Sequence, residues 1–220
     1  MIIVFDLDDT IYRERDFFLN GVLCVSKYLI ENYNFERNIS NKIVHREKVF
    51  GRAKLFDFFL KKKKIFSKSL LKKLINIYRY NNNKIYPYPD AITCLKKLGN
   101  FRKYLLTDGN KNVQEIKIKK LKINKYFKNF FITRRFGIKF EKPSLYCFKK
   151  IIKKENINWK QMIYIGDNPK KDFVNLNKKG SITIRILRGH FKTLKVSKKY
   201  EAKHIIKNLD NDLINIIKRL

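Results

Sequence analysis

The sequence predicts an α/β fold, a parallel sheet covered by helices on both faces and interrupted by an all-helical insertion. Two observations predict it. From residue 90 onward, short apolar runs of strand formers alternate with longer segments whose apolar residues recur at helical spacing, as in successive βαβ units. A run of the same strand type stands at the N-terminus, separated from the others by a purely helical block from about Asp16 to Tyr80. Because strand-bearing sequence flanks the block on both sides, it reads as an insertion into one fold.

Ile2 to Phe5 is an apolar run ending in acids, which reads as a buried strand. In the block that follows, Phe18, Val22, Val25 and Leu29, and later Leu70, Leu71, Leu74, Ile75 and Tyr78, mark the apolar faces of successive helices. The YPYPD segment ends the block, because its prolines disfavour helix and Asp90 can cap the next one. A helix is expected near 90–99, a strand at Lys103 to Leu106, a helix over about 111–121 and a strand near Phe130 to Thr133. A helix begun by Pro143, a strand at Met162 to Ile165, a helix from about Pro169, a strand at Ile182 to Ile186 and a last amphipathic helix near 203–218 follow. The expected domains are 1–13 with 87–220 as the sheet-bearing core, and 14–86 as the helical insertion.

Fifty-two Lys and Arg against 19 Asp and Glu give the 220-residue chain a formal charge of +33. With 44% hydrophobic residues, 18 Phe and 12 Tyr, it can bury enough surface to offset chain entropy, which excludes a disordered protein. Clustered basic residues would suggest a nucleic-acid face. Here 40 of the basic residues are Lys, spread along the whole chain beside 29 Ile and 22 Asn, the signature of AT-rich coding and a solvated surface. Three dispersed cysteines, Cys24, Cys94 and Cys147, form no CxxC pair, so neither a disulfide framework nor a zinc site is expected. The longest uncharged stretch, Phe17 to Ser26, is far short of the roughly 20 apolar residues of a membrane span. The start MIIVFDLDD carries an early acid and no basic head, so no signal peptide is read and the cytoplasm is the expected location.

Ligands of open α/β sheets bind beyond the carboxyl ends of the strands, which directs attention to four polar segments. DLDDT, Asp6 to Thr10, places two carboxylates at i and i+2 on the same side of the chain, and such a pair can divide nucleophile and general-acid roles. Thr107, Asp108 and Gly109 offer a hydroxyl and backbone N–H groups for an anion. Lys142, before Pro143, puts an ammonium at an expected helix start. GDNPKKD supplies Asp167 and Asp172, hard oxygen ligands suited to Mg2+. Each segment alone has an ordinary reading as a turn, a cap or a surface lysine. Their order, each beyond a strand of one sheet, is what singles them out.

In that order DLDDT, LLTDG, EKPS and IGDNPKKD resemble the four motifs of the haloacid dehalogenase-like superfamily: DxDx with Thr or Val, a strand ending in Ser or Thr, a Lys often followed by Pro, and GDxxxxD. The resemblance spans residues 2 to about 186, and PYPDAITCLKKL is similar to the segment where such chains return from their cap. One departure is Lys139, where relatives often have Gly; Gly137 stands two residues further back. The resemblance implies a Rossmann-like core with an α-helical cap, and a magnesium-dependent phosphatase. It implies that Asp6 attacks phosphorus and that Asp8 protonates the leaving alkoxide. Dehalogenase relatives lack this second Asp. It further implies that Thr107 and Lys142 bind phosphoryl oxygens, that Mg2+ is held by Asp6, Asp167 and the carbonyl of Asp8, and that Thr10 and Asp172 support them.

Specificity is then expected from the cap, starting at IYRERDFF, where Arg13 and Arg15 can meet a second anionic group and Phe17 or Phe18 can wall the substrate or fill the cap core. Arg185, Arg188 and His190, after the last expected strand, are further candidates near the site. The expected partner is a small phosphorylated metabolite, a sugar phosphate ahead of a nucleoside monophosphate, with no membrane. A phosphatase of nucleic-acid ends and a non-catalytic anion-binding or nucleic-acid-binding protein are the alternatives, and the oligomeric state is open.

Overall fold

The computed structural model describes residues 1–219 as two compact units, Met1–Glu14 with Ile85 onward, and Arg15–Lys84. The first is the α/β unit. Its sheet has six strands, all parallel, in the order β3-β2-β1-β4-β5-β6. The strands are β1 (Ile2–Phe5), β2 (Arg102–Thr107), β3 (Asn129–Ile132), β4 (Met162–Gly166), β5 (Ile182–Ile186) and β6 (His204–Ile206).

β1 lies at the centre of the sheet beside β4, and like β4 it is apolar and buried along its whole length. All four of its residues are fully buried, with Ile2 beside Arg102 on one side and Met162 on the other. Successive side chains of a strand point to opposite faces. Accordingly Ile2 and Val4, Tyr104 and Leu106, and Met162 and Tyr164 share one core beneath Phe148 and Ile151. The chain winds outward from β1 to β3 and returns to β4, so the direction of winding reverses between β1 and β4. That reversal opens a crevice at the carboxyl ends of these two strands.

The helical unit contains most of α1 (Glu14–Tyr33), with α2 (Ile39–Phe50), α3 (Leu55–Lys62) and α4 (Lys68–Arg79). Phe18, Val22, Val25, Leu29, Phe59, Leu70 and Leu74 form its core. Ser67 caps α4 by accepting the Leu70 N–H, worth about 1 kcal/mol. Phe18 belongs to this core, and Phe17 is buried with its ring edge-on to that of Tyr78. Arg15 pairs with Glu47 and lies over the Phe18 ring.

The α/β unit also carries α5 (Pro89–Lys97), α6 (Lys111–Leu121), α7 (Tyr146–Glu155), α8 (Val174–Lys178) and α9 (Ile214–Lys218). Three boundaries differ from expectation. The helix expected at Pro143 begins at Tyr146, after a turn in which Ser144 donates its N–H to the Glu141 carbonyl. The helix expected at Pro169 begins at Val174, because Asp172 and Asn168 bind the N–H groups of Asn168 and Lys170 and hold a turn instead. The helix expected over 203–218 opens with β6, whose backbone pairs with β5, and becomes α-helical only at Ile214. Pairing along the open edge of β5 overrides helical spacing there. Cys94 and Cys147 are buried and free, and Cys24 is half-buried and free. No helix among the described residues is long and apolar enough to cross a membrane.

Candidate active site

β1 delivers Asp6 to the crevice. Its N–H continues the sheet by donating to the Ile165 carbonyl, and its side chain is only 7% exposed. The chain then turns on the Leu7 carbonyl, which accepts from Thr10 and Ile11. Asp9 sits in the left-handed region at φ 52°, and its carboxylate accepts the N–H groups of Glu14 and His190. Gly189 (φ 63°) allows this approach, since a Cβ there would lie 2.0 Å from the Asp9 Cγ. Arg188 donates to the Thr10 carbonyl and pairs with Asp90. Arg185 is buried against Glu201 and the carbonyls of Phe191 and Leu194. These contacts brace the loops around the first motif.

Lys142 is the hub. Its Nζ is 3.0 Å from Asp6 Oδ1 and 2.8 Å from Asp172 Oδ1, and it donates to the Tyr164 hydroxyl at 2.8 Å. Tyr164 in turn donates to Asp172, and Asp172 Oδ2 accepts the Asn168 N–H. Gly166 makes room, because a Cβ there would fall 2.4 Å from Asp172 Oδ2. Burial disfavours the Lys142 charge, but the Asp172 and Asp6 carboxylates outweigh it and hold the ammonium well above the usual lysine range. Asp108 fixes the approach of this lysine. Its carboxylate accepts the Lys142 N–H, the Thr133 hydroxyl and, at 2.6 Å, the Lys171 ammonium. Burial raises the Asp108 pKa and the Lys142 and Lys171 charges lower it, leaving it below the ordinary value.

Asp6, Asp167 and Asp172 each offer an oxygen within 4.8 Å of the others, all three buried. Burial, with Asp172 and the other acids nearby, pushes Asp167 up to about 9. Burial likewise takes Asp6 to about 7 against the pull of Lys142. Both Asp172 oxygens already accept hydrogen bonds, whereas no donor among the described residues reaches the Asp167 carboxylate. Crowded, buried and under-satisfied carboxylates fit a small hard dication, with Asp6 and Asp167 as the available ligands and Asp172 as the support of Lys142.

Asp8 belongs to a second cluster. Tyr12 donates to its Oδ1 at 2.6 Å, Lys117 to the same oxygen at 2.7 Å, and Gln114 to Oδ2 at 3.1 Å. The Gln114 amide also donates to Thr107 Oγ1 at 2.6 Å, tying the two together. Burial favours the neutral acid, yet the Lys117 charge and these hydrogen bonds leave Asp8 below the ordinary carboxylate value. The Gly109 N–H, expected to hold an anion, is given to Glu141 instead, at 3.2 Å. Arg13 is exposed, and Thr10 is fully buried with no partner for its hydroxyl among the described residues. Tyr12, Lys117, Tyr164 and Lys171 were not legible as site residues. Nothing local distinguishes one lysine among 40, and neither tyrosine lies within the four polar segments.

The profile of the haloacid dehalogenase-like hydrolases matches residues 3–186. A protein of Methanocaldococcus jannaschii named glyceraldehyde 3-phosphate phosphatase is 30% identical, with 96% of this chain and 98% of its own length covered. A protein of Methanopyrus kandleri with the same name is 24% identical over 99% of this chain and 97% of its own. Among solved structures, a 2-haloacid dehalogenase from Pseudomonas syringae superposes with a TM-score of 0.69 at 17% identity, covering 100% of this chain and 99% of that one. A phosphatase from Thermococcus onnurineus superposes with a TM-score of 0.65 at 20% identity, covering 98% and 97%. A dehalogenase and a phosphatase fit almost equally well, so shape establishes the fold and leaves the chemistry to the residues.

Proposed function

Because the chain belongs to the haloacid dehalogenase-like hydrolases and is a phosphatase, we propose that it is a Mg2+-dependent phosphomonoesterase of short sugar phosphates, with glyceraldehyde 3-phosphate as its first candidate substrate. Residues 1–13 with 87–220 serve as its catalytic core and 14–86 as its cap. The observation that carries this reading is the pairing of Asp6 with Lys142 beside Asp167 and Asp172, with Asp8 and Thr107 joined through Gln114. The names of the two archaeal relatives support the substrate class.

In the proposed reaction an Asp6 oxygen bonds to phosphorus as the ester P–O bond breaks, giving an aspartyl phosphate. Lys142, already on Asp6, and the Thr107 hydroxyl neutralise the phosphoryl oxygens where charge develops. Asp8 gives its proton to the departing alkoxide, and the approaching phosphate anion favours the protonated acid this requires. In the second half Asp8 takes a proton from water, whose oxygen bonds to phosphorus and frees Asp6. Mg2+ held by Asp6, Asp167 and the Asp8 carbonyl would offset the repulsion between carboxylate and phosphate. Asp172 keeps Lys142 oriented, Asp108 fixes the Lys142 backbone, and Thr10 packs the loop beneath the acids.

Phosphate release from glyceraldehyde 3-phosphate, other sugar phosphates, nucleoside monophosphates and a 5′-phosphorylated oligonucleotide, with and without Mg2+, tests this reading. The sugar phosphates are expected to turn over fastest, only with the metal, and not at all in Asp6→Asn. Equal rates in parent and Asp6→Asn would refute the aspartyl-phosphate route, and preference for the oligonucleotide would refute the substrate class.

A further inference from the structure

Three lysines are buried among the described residues: Lys103, Lys117 and Lys142. Lys103 is absorbed by the backbone, donating to the carbonyls of Leu98 and Phe101. The other two meet the two acids of the first motif, Lys142 on Asp6 and Lys117 on Asp8. Each member of the acid pair therefore has its own buried lysine, delivered from a different part of the chain.

The placement of Lys117 is costly. On α6 the buried positions are Gln114, Lys117, Ile118 and Leu121, the i, i+3, i+4, i+7 stripe that a helix normally fills with apolar side chains. Two of the four are polar, and a buried ammonium is tolerated only with a partner. Both polar side chains turn to the same carboxylate: Lys117 takes Oδ1 and Gln114, one turn earlier, takes Oδ2. Tyr12 adds a second donor to Oδ1, and the Lys117 ammonium lies 5.8 Å from the centre of the Tyr12 ring. Both Asp8 oxygens are thus held, and Gln114 extends the hold to Thr107.

We propose that Lys117, with Gln114, is the positioning residue that aims the Asp8 carboxyl group at the leaving oxygen. The proposal rests on the reading of Asp8 as the proton carrier. Lys117 touches neither phosphorus nor the leaving group in this scheme; it acts through Asp8. Its loss therefore matters most where the leaving group needs a proton. An alkoxide leaving a sugar or alkyl phosphate needs one, whereas p-nitrophenolate is a stable anion and needs far less assistance.

The test compares Lys117→Met, Lys117→Arg and Asp8→Asn on glycerol 3-phosphate and on p-nitrophenyl phosphate, with Mg2+ present. For Lys117→Met, kcat on the alkyl ester is expected to fall about 30-fold and on the aryl ester about 3-fold, with KM little changed. Lys117→Arg is expected to recover most of the loss, because it restores a cation that can reach the carboxylate. Equal losses on both esters, a change confined to KM, or no recovery with arginine would overturn the proposal. Should Lys117→Met fail to fold, Gln114→Met reads the same contrast through the other oxygen, and the absence of the contrast there overturns the proposal as well. If Asp8→Asn itself does not discriminate between the esters, the general-acid reading falls and the positioning role falls with it. If Asp8→Asn discriminates and Lys117→Met does not, only the positioning role falls.

Discussion

In the helical unit the interior is hydrocarbon and aromatic, Phe18, Val25, Leu60 and Leu74 among its residues, while its charges stay at the surface, as with Lys42 and Glu36 at 46% and 70% side-chain exposure. In the α/β unit Asp6, Asp167, Asp172, Lys117 and Lys142 are all 5% exposed or less. Of the 17 buried polar or charged residues among those described, only Ser26 and Asn81 belong to the helical unit. One unit follows the usual rule that charge stays in water, and the other breaks it at the carboxyl ends of its central strands. A fold accepts such a cost where the buried groups do chemistry, so the contrast marks the reactive part of the molecule.

The contrast can be broken in four ways. The largest effect is expected from Lys142→Met, which leaves Asp6 and Asp172 without their shared cation. Activity should fall by about 10³-fold or more, and unfolding free energy by about 3–5 kcal/mol, read by urea titration. A loss under 1 kcal/mol would show that these carboxylates do not need their lysine. Leu74→Ala, in the apolar interior of the helical unit, should cost about 2–5 kcal/mol through the cavity it leaves, by the same titration.

A smaller effect is expected from pH. In the metal-free folded protein Asp6 and Asp167 hold protons up to about 7 and about 9, whereas the unfolded chain releases them near 3.8. The folded state therefore binds more protons between about pH 4 and 9, and this contribution lowers stability as pH rises through that window. Asp167→Asn removes part of it, so its melting temperature should exceed that of the metal-free parent by a margin that grows toward pH 9. Millimolar Mg2+ should raise the parent and narrow the margin, and a margin that shrinks with pH would contradict the assignment. The smallest effect belongs to Lys42→Ala. Its exposed pair with Glu36 is worth about 0–1 kcal/mol, and a larger loss in urea would erase the distinction between the units.

Much of this was legible along the chain. The IIVF run followed by DLDDT marked β1 and its acids, because apolar run and polar stop are both local. The strand before GDNPKKD marked the second acid site in the same way. β6 was missed since three residues carry little periodicity and their pairing with β5 is a contact between distant segments. Pro143 and Pro169 suggested helix starts, but a backbone bond from Ser144 to Glu141 holds the first in a turn and the Asp172 and Asn168 side chains hold the second. The Gly109 N–H looked available because Glu141, 32 residues away, gives no sign in sequence of reaching it.

The sequence by itself determined the class of fold, the insertion, and the order of the groups that carry the chemistry, since each follows from patterning within a few residues. Only the tertiary structure decided which lysine meets which acid. Asp8 and Lys117 lie 109 residues apart, and their ion pair exists because β1 and β2 are neighbours and α6 folds back from β2. A side chain's spacing announces that it faces inward; the identity of its partner is set by which strands lie side by side.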